Sequence, residues 1–130
     1  MVFVDTSAWF AYFLPTDPHH QRVRECFRAG NGPLLTSDYC IDETLTLLMA
    51  RGELRRALEA GVAFFEAGVA QLHFVTPAQI SRAWILFKQH AAAGWSFTDC
   101  TSKVVIDDLG IATAIALDSH FRQFGMAVVP

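Results

Sequence analysis

The chain has little of what marks a secreted, membrane-spanning or zinc-binding protein. Only three cysteines (Cys26, Cys40 and Cys100) occur in 130 residues, far apart and odd in number. They form no CxxC motif and no disulfide framework, so the reading is buried thiols in a reducing compartment. Five histidines (His19, His20, His73, His90 and His120) show no zinc-ligand spacing. No apolar run approaches the roughly 18 residues that a membrane span needs. The N-terminus carries no basic n-region or small-residue cleavage site, and Asp5 interrupts its first apolar segment. A cytoplasmic location with no membrane partner is therefore expected. Gly30-Asn31-Gly32-Pro33 is no phosphate-binding loop, since no Lys-Ser/Thr follows it.

Charge is also sparse, at 18% against 52% hydrophobic residues. That excludes a disordered chain and suits a compact protein that hides further apolar surface against a partner. The length fits one domain, residues 1–130. A net charge of −3 argues only superficially against nucleic acid. If four of the 13 acids surrounded metal ions, 10 basic residues would face nine acidic ones.

What is present is organised around Val2-Phe3-Val4-Asp5-Thr6-Ser7. Three apolar residues read as a short strand buried on both faces, as in a parallel sheet. Asp5 ends it, and a helix-like segment runs from Ala8 to Leu14. Pro18 starts a second helix, with Val23, Cys26 and Phe27 as its apolar stripe, and Gly30 to Pro33 closes it. Leu34 and Leu35 make a minimal strand. Ser37 or Asp38 caps a helix running to about Ala50, with Ile41, Leu45 and Leu48 facing the core and Glu43 on a flank. A helix over Glu53 to Gly68 sets Leu54, Ala57, Leu58, Val62 and Phe65 on one face and Arg55-Arg56 away from it. Leu72 to Val75 reads as a strand. Thr76 and Pro77 open a helix with Ile80, Ala83, Trp84, Phe87 and Ala91 at helical spacing. Ala91 to Trp95 is a loop, Ser96 starts a helix reaching about Leu109, Ile111 to Leu117 is a strand, Asp118 to Phe121 a short helix, and Met126 to Val129 a last strand. Strands alternating with helices predict a parallel α/β sheet in a three-layer sandwich.

Ligands bind at the carboxyl edge of such sheets. Asp5 ends the first strand, Glu43 lies on the helix after the second, Asp99 sits in the first turn of a late helix, and Asp118 follows the Ile111–Leu117 strand. Each has an ordinary explanation: Ser96-x-x-Asp99 is a capping box, and Asp118 is a good N-cap. As a set they are harder to explain structurally, because two carboxylates about 4 Å apart repel by roughly 4 kcal/mol at an effective dielectric of 20. Hard oxygen ligands suit Mg²⁺ or Mn²⁺, and a metal so held activates water against a phosphoryl group.

The ordered motifs carry a resemblance. Val4-Asp5-Thr6-Ser7, Ser37-x5-Glu43-x3-Leu47-Leu48, Phe97-Thr98-Asp99-Cys100 and Ala116-Leu117-Asp118-Ser119-His120-Phe121 together resemble a PIN-domain ribonuclease of the VapC toxin type. The resemblance implies a PIN-like α/β/α sandwich with a short central parallel sheet. It implies that Asp5, Glu43, Asp99 and Asp118 surround one or two Mg²⁺ or Mn²⁺ ions, with Thr6, Ser7 and Thr98 supporting them by hydrogen bonds. It further implies an RNA substrate, a homodimer and inhibition by a cognate antitoxin. The sequence departs from the pattern at Ala116, where relatives carry a hydroxyl residue.

Lys103, one turn beyond Asp99, and His120 and Arg122, just after Asp118, are candidates for RNA phosphates. Trp9, Trp84 and Trp95 are candidates for base stacking, with core packing the expected use of Trp9 and Trp84. Arg51, Arg55 and Arg56 are assigned to a helix surface or antitoxin interface. The alternatives are an RNA-processing nuclease without a toxin role, or a non-catalytic RNA- or protein-binding module of the same fold. A phosphatase lacks its Asp-x-Asp, and a receiver domain its acidic pair beside the first strand.

Overall fold

A computed structural model describes residues 1–30 and 32–130; Asn31, placed in the loop after the second helix, lies outside the described residues. Five parallel strands are ordered β3-β2-β1-β4-β5: β1 (Val2–Val4), β2 (Leu34–Ser37), β3 (Gln71–His73), β4 (Thr113–Ile115) and β5 (Ala127–Val129). β1 is central and fully buried, which explains its unbroken Val-Phe-Val run. Its side chains alternate between the two faces. Val2 and Val4 enter one core with Trp9, Ile41, Leu48 and Phe64, and Phe3 enters the other with Val104, Val105 and Phe121.

Helices cover both faces: α1 (Thr6–Phe13), α2 (His20–Arg28), α3 (Asp38–Ala50), α4 (Leu54–Phe65), α5 (Pro77–His90) and α6 (Phe97–Leu109). Short 3-10 turns cover Ala91–Ala93 and Ser119–Phe124. Trp9 is fully buried, with Phe27 and Phe64 edge-on at centroid distances of 5.2 and 4.9 Å. Its Nε1 donates to Thr36 Oγ1 at 3.0 Å, and that hydroxyl donates to the Val4 carbonyl at 2.9 Å. This pins the start of α1 to the middle of the sheet.

The structure corrects several sequence expectations. The strand expected over Ile111–Leu117 shrinks to Thr113–Ile115, because the Leu117 N–H goes to the Ser7 hydroxyl at 2.9 Å. The strand expected over Leu72–Val75 occupies Gln71–His73, and the Val75 N–H is taken by Asp38 Oδ1 at 2.9 Å. Trp84 is not a core residue: it is 52% exposed, while Trp95, expected in a loop, is 7% exposed. α5 turns Ala83 and Gln79 inward against α6, which carries Trp84 round to solvent. Leu54, Leu58, Val62 and Phe65 form an exposed face of α4, whereas Ala57, Ala60 and Phe64 fill its inner one.

Candidate active site

At the carboxyl edge of the sheet, a cavity of about 240 Å³ collects Asp5, Glu43, Asp99 and Asp118, four residues separated by up to 113 positions. Three of the four acids are delivered by a capping role. Asp5 is the N-cap of α1, accepting from Ser7 N at 3.3 Å. Asp99 is the N3 residue of α6, and the capping box with Ser96 is formed in both directions, at 2.9 and 3.0 Å. Asp118 caps the turn at Ser119, accepting from His120 N at 2.9 Å. Glu43 projects from α3, one turn before Leu47, which lines the same cavity. Capping and clustering thus coincide.

Asp5 is 3% exposed, and burial pushes its carboxyl up to about 7. The Ser7 hydroxyl, donating to Asp5 Oδ2 at 2.8 Å, opposes that rise; the nearby Asp99 charge adds to it. The same hydroxyl accepts from Leu117 N, so Ser7 joins the first strand's end to the last acid's segment. Thr6 Oγ1 faces a different situation: it is buried and has no hydrogen-bond partner, although Thr6 lines the cavity.

His120 is the residue whose place the sequence least revealed. Its Nδ1 lies 3.0 Å from Asp99 Oδ2 and 2.9 Å from Asp118 Oδ1. Asp99, Asp118 and His120 each offer one ligand atom within 4.8 Å of the others. The only sequence signal was its position two residues after Asp118. With Asp5 and Glu43 in the same cavity, this mainly oxygen donor set fits a hard divalent cation.

Three candidates are not brought into the cavity. Thr98, half-buried beside Asp99 on α6, does not line the cavity; its carbonyl accepts from Thr101 Oγ1 at 2.7 Å. Lys103 pairs with Asp107 at 2.9 Å, the i,i+4 partner further down α6, and lies over Phe124. Arg122 is exposed and reaches the Pro130 carbonyl at 3.5 Å. A larger cleft, about 500 Å³, runs along α4 past Leu54, Leu58 and Val62. It is aliphatic and holds no acid cluster, so the chemistry belongs to the smaller cavity.

The PIN domain family model matches residues 2–125. The chain belongs to the PIN-domain family. Among curated proteins, this PIN domain is 33% identical over 129 residues to the 23S rRNA-specific endonuclease VapC20 of Mycobacterium tuberculosis, covering 99% of this chain and 98% of that one. It is 29% identical over 123 residues to a VapC ribonuclease of Archaeoglobus fulgidus, covering 91% of this chain and 77% of that protein. Among solved structures, the crystal structure of M. tuberculosis VapC20, described as a sarcin–ricin loop cleaving toxin, superposes with a TM-score of 0.92 at 31% identity, each chain fully covered. FitAcB from Neisseria gonorrhoeae, at 14% identity, shares the fold with a TM-score of 0.66, over 100% of this chain and 97% of that one.

Proposed function

We infer that this VapC-type PIN domain, acting as one unit over residues 1–130, is a metal-dependent endoribonuclease and the toxin of a toxin–antitoxin pair. The observation that carries the reading is the single cavity uniting Asp5, Glu43, Asp99 and Asp118 at the sheet's carboxyl edge. We assign Asp99 and Asp118, with Asp5 and Glu43, to holding Mg²⁺ or Mn²⁺. When bound, such an ion supplies activated water and charge stabilisation at a phosphoryl group. Ser7 fixes the Asp5 carboxylate, and the capping box fixes that of Asp99. His120, between two acids, orients both and can carry a proton at Nδ1.

The substrate class is RNA presented as a single strand or loop. The first target to test is 23S rRNA, because the 33%-identical relative acts on it. The apolar outer face of α4, with Leu54, Leu58, Val62 and Phe65 between 50% and 64% exposed, supports a homodimer or an antitoxin seated there. No helix among the described residues is long and apolar enough to cross a membrane, and we place the protein in the cytoplasm.

The test is incubation of purified protein with ribosomal and total RNA under Mg²⁺, Mn²⁺ or EDTA, beside Asp99→Ala and Asp5→Asn. Discrete fragments that vanish with EDTA and in both variants are expected. Cleavage that persists in the variants overturns the site. Absence of cleavage by antitoxin-free protein with either metal overturns the enzyme.

A further inference from the structure

We propose that Arg51, held over the Phe10 ring, is a subsite for a phosphate of an RNA nucleotide flanking the cleaved bond. The proposal rests on the nuclease reading above and extends its cavity along one surface strip. Two helices wall the cavity on that side, with Thr6 and Ser7 from α1 and Glu43 and Leu47 from α3. Residues four apart on a helix share a face. Phe10 therefore follows Thr6 along α1, and Arg51 follows Leu47 at the end of α3. The two side chains meet, with the guanidinium carbon 5.4 Å from the ring centroid. Leu47 is 40% exposed, so the strip between cavity and guanidinium is open. Four residues of helix span about 6 Å, which sets Arg51 one turn out from the cavity rim.

Charge and place together select Arg51 from the other cations. Among the described residues Arg22, Arg24, Arg28 and Lys88 also lack a carboxylate partner, but they lie on α2 and α5, which contribute no residue to the cavity's lining. A polyanion approaching four carboxylates needs a fixed positive group beside them. Lys103 is engaged by Asp107, Arg82 by Asp108, and Arg55 and Arg56 by Glu59. Arg122 lies towards Pro130. Arg51 has no carboxylate partner among the described residues, and Phe10 restrains it without taking a conventional hydrogen bond from its fork of donors. The ring is a positioning element; the guanidinium makes the contact. A protein segment lying on the same strip is the competing occupant, and the experiment separates the two.

The probe is a fluorescein-labelled hairpin RNA containing a site that the wild-type protein cleaves. Arg51→Ala is expected to raise KM about tenfold with kcat unchanged. The slope of log(kcat/KM) against log salt should become shallower by about 0.7, one single-strand phosphate contact. Phe10→Leu should raise KM less and leave the salt slope intact. Unchanged KM and slope in Arg51→Ala, beside an active wild type, overturn the subsite alone. Unchanged KM with lost inhibition by the co-expressed antitoxin overturns it in favour of a protein contact. A wild type that neither binds nor cleaves RNA removes the nuclease reading and the subsite together.

Discussion

Asp5 contributes a pH-dependent share of the metal-free protein's stability. Its folded carboxyl titrates at about 7 against an ordinary value of 3.8, so the folded state holds a proton that the unfolded state has released between those values. Its contribution is fully present below about pH 3.8 and is lost as the pH rises through 7. Stability should fall by roughly 1.4 kcal/mol per pH unit inside that window. Urea titrations of EDTA-treated protein at several pH values between 4.5 and 7.5 test this: Asp5→Asn should flatten the fall, and an equal slope in both proteins would refute the assignment. Divalent metal competes with the proton, so its stabilising effect should be larger at pH 7.5 than at pH 5.5. Ser7 gives a second residue-level expectation. Ser7→Ala strips a donor from Asp5 and orphans the Leu117 N–H, which should cost about 1–3 kcal/mol in chemical denaturation and lower kcat.

Among the elements, α6 has a double task, since one carboxylate both starts the helix and faces the cavity. Ser96→Ala should cost about 1 kcal/mol in melting experiments and reduce cleavage, although Ser96 carries no charge. By contrast Thr76→Ala, breaking the equivalent capping box on α5, should cost about as much stability and leave cleavage unchanged. The exposed α4 face lets assembly be tested apart from folding. If it holds the proposed homodimer, Leu58→Glu shifts the light-scattering mass to that of a monomer with the fold retained by circular dichroism, and an unchanged mass leaves the antitoxin as its proposed occupant. Element types were largely legible because periodicity and caps are local: Thr76-Pro77, Ser96-x-x-Asp99 and the Val2–Val4 run each state their own structure. Trp84 was misread because its spacing fits the apolar stripe and only packing on α6 decides which flank is covered. Lys103 pairs with Asp107 one turn further along α6, a partner that its spacing from Asp99 did not single out. His120 was expected at the site from its place after Asp118, but its contact with Asp99 as well lay beyond spacing, because the two acids come from different elements.

At the scale of the molecule, the four acids are an electrostatic load that the fold carries until a cation joins them. Mg²⁺ or Mn²⁺ should raise the melting temperature in proportion to the logarithm of its concentration above its Kd. Calorimetry with and without EDTA measures this, and Asp99→Ala should abolish the gain. A melting temperature indifferent to metal would separate the cluster from cation binding.

The Ser7–Leu117 hydrogen bond joins residues 110 positions apart, and β4, the last-made neighbour of β1, comes from the same late segment. A nascent chain that has emerged only as far as α6 already owns Asp5, Glu43 and Asp99, yet lacks β4 on the second side of β1, the tether to Ser7 and the acid at 118. Synthesis itself therefore acts as a delay: everything up to α6 is made before the edge that gathers all four acids exists.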